Sequence, residues 1–131
     1  MKIIIDLPPI TKKNSQRILI NGRTGKPFVA PSQKFTEYQN NAGFFIKRAI
    51  GNAGHIGFPA NVKCLFYMPT KRRVDLVNLL ESVDDVLTYY GIMPDDSSQY
   101  IGAHDGSRVY YDKDNPRTEI IISELEDSGV I

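Results

Sequence analysis

Tryptophan is absent from these 131 residues, cysteine occurs once, and no apolar run approaches the ~20 residues needed to span a bilayer. Each scarcity excludes something. The single cysteine, Cys64, cannot form an intramolecular disulfide. Its place inside an apolar run makes it a packing residue, expected in a reducing compartment. The opening MKIIIDLPPI has too short an apolar stretch, and no small-residue cleavage site, for a signal peptide. A cytoplasmic location with no membrane partner is therefore the expectation. With 41% hydrophobic and 24% charged residues, the composition is that of a folded globular chain rather than a disordered one. The length suits one domain over 1–131, without repeat or linker. From about residue 125 to 131 the sequence reads as a flexible acidic tail.

The net charge of +1 conceals an asymmetry. Residues 1–74 hold 13 Lys/Arg against 2 Asp/Glu, a net of +11; residues 75–131 hold 3 against 13, a net of −10. A basic half suits a phosphate backbone, and an acidic half suits metal ions. Mutual neutralisation within one domain is the plain alternative.

The pattern along the chain is mixed. KIIIDL reads as a strand stopped by Pro8-Pro9, and RILI and KPFVA flank Asn21-Gly22, a hairpin signal. Ser32 is placed as the N-cap of a helix whose apolar residues recur from Phe35 to Ala49. GNAGHIGFP, residues 51–59, is a glycine-rich connection. NVKCLFYM reads as a central strand. A second helix follows with an apolar stripe of Leu76, Leu79, Leu80, Val83, Leu87 and Tyr90, ending at Gly91, where a C-cap glycine belongs. QYIGAH, SRVYY and RTEIIISEL read as strands, with DKDNP as a turn. The fold class expected is α/β (α+β), a small mixed β-sheet packed with two main helices.

Chemistry concentrates at residues 71–96. Lys71, Arg72 and Arg73 stand before Asp75, which is both a candidate N-cap and a candidate metal ligand. Asp75, Asn78, Ser82 and Asp85 recur at helical spacing as a polar stripe. Asp95 and Asp96 follow the helix. If the chain doubles back after Gly91, they can converge with Asp75, and carboxylates so gathered need a cation such as Mg²⁺ between them. The plain alternative is a cap plus two solvated loop acids. His104, beside Asp105 and Gly106, is a weaker candidate.

PP…KKNS after the first strand, PTKRRVDLVNL opening the second helix and GIMPDD after it resemble, in order and spacing, the RusA-type endodeoxyribonucleases. These are the Holliday junction resolvases common in phages and prophages, and the likeness runs from about Ile3 to Ile122. It implies a small α/β homodimer that uses Mg²⁺, with Mn²⁺ as the alternative, to resolve four-way DNA junctions by paired symmetric nicks. By motif, Asp75, Asp96 and the neighbouring Asp95 fall at catalytic, metal-binding positions. Lys12, Lys13, Asn14, Lys71, Arg72 and Arg73 fall in DNA-binding loops, and Asn78 at the motif asparagine; Asp85 and Asp105, outside the motif, are supporting acids that could fill a gap in the site. Val77 stands where a second aspartate is common, and Glu81 where some members carry lysine. Glu81, one turn on from Val77, is the first choice for the missing metal ligand. Two other readings compete: a branched-DNA binder with a degenerate metal site that does not cut, and a protein-interaction domain whose charged halves meet a partner.

Overall fold

A computed structural model describes residues 1–12, 17–30, 32–51 and 55–125. Its elements run β1 (Lys2–Ile5), β2 (Arg17–Ile20), β3 (Pro27–Ala30), α1 (Gln33–Ile50), β4 (Ala60–Met68), α2 (Leu76–Tyr89), β5 (Ile101–Ala103), β6 (Arg108–Tyr111) and β7 (Arg117–Glu124). This is a mixed α+β fold with two helices, as the sequence pattern suggests. Five strands form one sheet in the order β1-β7-β4-β5, with β6 also on β4; β2 and β3 form a separate antiparallel pair. The tail from residue 126 lies outside the described residues. Among the described residues, no helix is long and apolar enough to cross a membrane.

β4 holds the sheet together. It runs antiparallel to β7 from Ala60↔Glu124 to Tyr67↔Arg117, and parallel to β5 and β6 on its other side. Parallel neighbours need a crossover connection, and α2 supplies it. Along β4 the even-numbered residues Ala60, Val62, Cys64 and Phe66 are buried while Asn61, Lys63, Leu65 and Tyr67 are half-exposed. One face of the sheet therefore packs on the helices and the other stays open. Ile3, Ile5, Ile120 and Ile122 continue the buried face, joined by Phe35, Ala42 and Ile46 of α1 and Leu79, Val83, Val86 and Leu87 of α2. Cys64 is fully buried and its thiol is pushed well up, first by burial and then by the charge of Asp84.

The two helices meet through Gly43. The Tyr90 ring packs where a Cβ at Gly43 would sit, and its hydroxyl donates to the Gln39 carbonyl at 2.5 Å. Ser32 caps α1 as the sequence indicates, its Oγ accepting from the Phe35 N–H at 3.1 Å. The hairpin turn is wider than Asn21-Gly22 alone. Asn21 Oδ1 accepts from the Arg23 and Thr24 amides, and Gly25, at φ +68°, is the residue in the left-handed region.

β5 and β6 share one edge of β4 with a break between them. In that break the Val62 carbonyl is met by His104 Nδ1 at 2.8 Å and the Cys64 amide by Ser107 Oγ at 3.0 Å. Side chains thus replace the missing strand backbone, which satisfies buried polar groups that would otherwise stand empty.

Candidate metal and nucleic-acid site

The chain leaves β4 at Met68 and enters α2 at Asp75, so the basic run 71–73 spans the strand-to-helix turn. Lys71, Arg72 and Arg73 are exposed, and none forms an ion pair among the described residues. Beside them lies a cleft of about 350 Å³ whose lining includes Thr11, Lys34, Thr70, Arg72 and Arg73 and, among the described residues, no Asp or Glu. A cleft with cations and no carboxylates attracts anions. Asp75 is the N-cap of α2, its Oδ1 accepting from the Val77 amide at 2.9 Å. The cap occupies one carboxylate oxygen and leaves the other.

Of the first polar loop, Lys13 and Asn14 lie outside the described residues. Lys12 is tied twice to α2: its amide donates to Ser82 Oγ at 2.9 Å, and its ammonium pairs with Asp85 at 3.0 Å. Ser82 is thus 2% exposed, a buried anchor under the loop rather than part of an open polar stripe. The Lys12–Asp85 pair is about a third exposed on each side. Such pairs contribute about 0.2–1 kcal/mol, so a phosphate can compete for the lysine. The Asn78 carbonyl accepts from the Ser82 hydroxyl at 3.1 Å. Glu81 is half-buried and is not without a partner.

Past the helix, Asp95 is exposed and closes its own turn, Oδ1 accepting from the Ser97 amide at 2.7 Å. The Ser97 side chain and amide hold its carboxyl below the usual range. Asp105 is exposed, its amide donating to Asn61 Oδ1 at 2.7 Å. Asp96 is exposed, and its charge is felt by Asp84 in mid-helix. β5 joins the beginning of β4 whereas Asp75 follows its end. The return after Gly91 thus brings Asp96 toward Asp84, and no polar contact joins Asp75 to Asp95 or Asp96 among the described residues.

Asp84 is the residue that spacing did not single out. Its Oδ2 lies 2.9 Å from His104 Nε2. Since the Val62 carbonyl can only accept, His104 Nδ1 carries a proton, and the Asp84 contact needs a second one shared between imidazole and carboxyl. Burial works against a charged His104, but the hydrogen bond and charge of Asp84 outweigh it and raise its pKa. Asp84 is raised too, first by burial, with His104 pulling down and Asp96 and Asp85 pushing up. Its Oδ1 is buried without a hydrogen-bond partner among the described residues. A signal for Asp84 did exist. Leu80 stands four residues before it and Leu87 three after, which puts it on the border of the apolar stripe.

The candidate ligands are all hard oxygen donors. They are carboxylates from α2 and from the segment after it, one with an orphaned buried oxygen and with like charge pressing on it. No group of three His, Cys, Asp or Glu converges to hold a metal among the described residues. Mg²⁺ tolerates such a set, because it takes one or two carboxylates and completes its shell with water and phosphate oxygens. In comparisons with known proteins, no family model matches the chain and no curated protein does.

Proposed function

We propose that the chain is a Mg²⁺-dependent endonuclease that resolves four-way DNA junctions as a two-fold dimer. The observation that carries this reading is the cation-lined cleft at the start of α2, where Arg72 and Arg73, which form no ion pair among the described residues, stand beside the N-cap carboxylate of Asp75. Carboxylates on and after that helix suit a cation, and exposed guanidinium groups suit the phosphates that such a cation acts on. The likeness to RusA-type nucleases in PTKRRVDLVNL and GIMPDD supports the same substrate.

In this reading the metal would be held by carboxylates drawn from Asp75, Asp95, Asp96 and Glu81, which do not converge on one point among the described residues. When bound, Mg²⁺ polarises the phosphodiester and supplies an activated water. Arg72 and Arg73 clamp backbone phosphates bidentately, and Lys71, Lys12 and the loop that continues into Lys13 and Asn14 add charge along the strand. Asn78 and Asp85 support the helix face, Asp105 the neighbouring turn. Two-fold symmetry presents one such site to each of two equivalent strands of a junction.

A second reading is favoured by Val77. It is 60% exposed, so no packing demand explains valine at the position where the resemblance expects a carboxylate. A binder of branched DNA that does not cut is consistent with that residue. Nicking of a synthetic four-way junction, with and without Mg²⁺, separates the two: cutting that needs the metal supports the nuclease, and tight binding without cutting supports the binder.

A further inference from the structure

Three planar groups stand in a row across the open face of the sheet. Arg117 on β7 and Tyr110 on β6 are both direct cross-strand neighbours of Tyr67 on β4. The Arg117 guanidinium lies 3.8 Å from the centroid of the Tyr67 ring. The Tyr67 and Tyr110 rings are stacked, 5.2 Å between centroids and 20° between planes. Arg117 is fixed in place by Glu119 at 2.8 Å and Asp112 at 3.0 Å, so one end of the row is closed. The other end is open. β6 pairs only with β4 among the described strands, and Tyr110 at the sheet edge is 43% exposed.

The charges around that open end favour an anion. Glu119 and Asp112 are already neutralised by Arg117, with Lys2 adding to Glu119 at 3.3 Å. Arg108 lies two residues before Tyr110 and so on the same side of β6, about 7 Å along the strand. It is exposed and makes no ion pair among the described residues. Lys71, first of the basic run, sits over the next ring on the strand, Tyr111, at 5.1 Å and so on the opposite face of β6. An exposed aromatic that already stacks on one side, with a cation beside it on the same face, is the arrangement that receives unpaired bases.

We propose that Tyr110 is a stacking platform for an unpaired nucleobase, with Arg108 on the adjoining phosphate. The platform rests on, and deepens, the reading of the chain as acting on branched DNA, whose strand exchange point leaves bases free to unstack. A second copy of the chain seated on the same sheet face is the rival occupant.

The test uses a DNA duplex carrying one unpaired 2-aminopurine and its fully paired counterpart, against the wild-type chain, Tyr110→Phe and Tyr110→Ala. Wild type and Tyr110→Phe quench the unpaired probe. Tyr110→Ala loses the quench and binds that probe about tenfold more weakly, with affinity for the paired duplex unchanged. Retained quench and affinity in Tyr110→Ala overturn the platform. So does a sedimentation coefficient that falls in Tyr110→Ala and not in Tyr110→Phe, because the ring then belongs to a surface between copies. Quenching that depends on Tyr110 in a protein that never nicks DNA upholds the platform and refutes the nuclease; nicking indifferent to Tyr110, with the quench unaffected by its loss, does the reverse.

Discussion

Asp75 carries two proposed duties that substitutions can separate. Its Oδ1 caps α2 through the Val77 amide at 2.9 Å, and the site is exposed. An exposed N-cap contributes about 1 kcal/mol, and alanine cannot replace the acceptor. Asp75→Ala should therefore lower stability by about that amount, or roughly 3–5 °C in Tm for a chain of this size. Asparagine caps as well as aspartate and loses only the charge at the helix N-terminus, about 0.3–1 kcal/mol. Thermal melts should thus place Asp75→Asn close to wild type and Asp75→Ala clearly below. A nicking assay on the same preparations should find both variants inactive with Mg²⁺, while junction binding holds or tightens as a negative charge near phosphate disappears. If Asp75→Asn cuts at the wild-type rate, the carboxylate is a cap and nothing more.

Other consequences follow from the same geometry. Replacing Arg72 and Arg73 together by alanine should weaken junction binding for all sequences alike and reduce the slope of log K against log salt by about 2, one unit per lost phosphate contact; an unchanged slope makes them a solvated face. Glu81→Gln should cut metal affinity and rate if Glu81 substitutes for the missing acid, whereas in a binder it should do nothing and Val77→Asp should create nicking. Since Val77 is 60% exposed, the aspartate should not cost packing. His104 has a raised pKa in the folded chain, so its contact with Asp84 stabilises fully below about pH 6.5 and fades as pH rises through the folded value. Asp84 is also raised, which acts in the same direction. Urea denaturation of wild type and His104→Asn across that window should give a stability gap that is largest at the acid end; a gap independent of pH would mean that folding leaves the His104 pKa where it is in the unfolded chain.

Much of the fold could be read from local pattern. Ser32 and the 3.6-residue recurrence after it set α1, and Asp75 with Gly91 bracketed α2, because caps and periodicity are decided by nearby residues. The strand content also followed. What local pattern does not encode is which part of the sheet each return reaches. The chain after Gly91 pairs with Ala60 and Asn61, at the start of β4, so Asp96 is carried toward Asp84. Ser82 looked like a surface hydroxyl until the segment at Lys12 covered it, a contact seventy positions apart in sequence. His104 is part of a ladder repair on β4, visible only once β5 and β6 are known to share one edge. The open face of β4 was likewise unexpected from NVKCLFYM, where Lys63 and Tyr67 turn out to lie opposite the core.

The central claim is that carboxylates gathered on and after α2 serve a divalent cation that cuts DNA. It is tested most directly by incubating the purified chain with a labelled four-way junction in EDTA and in Mg²⁺, and resolving the products on a denaturing gel. The expected products are two symmetric nicks that appear only with Mg²⁺ and vanish in Asp75→Asn. A junction bound at low salt yet left whole at every Mg²⁺ concentration would contradict it.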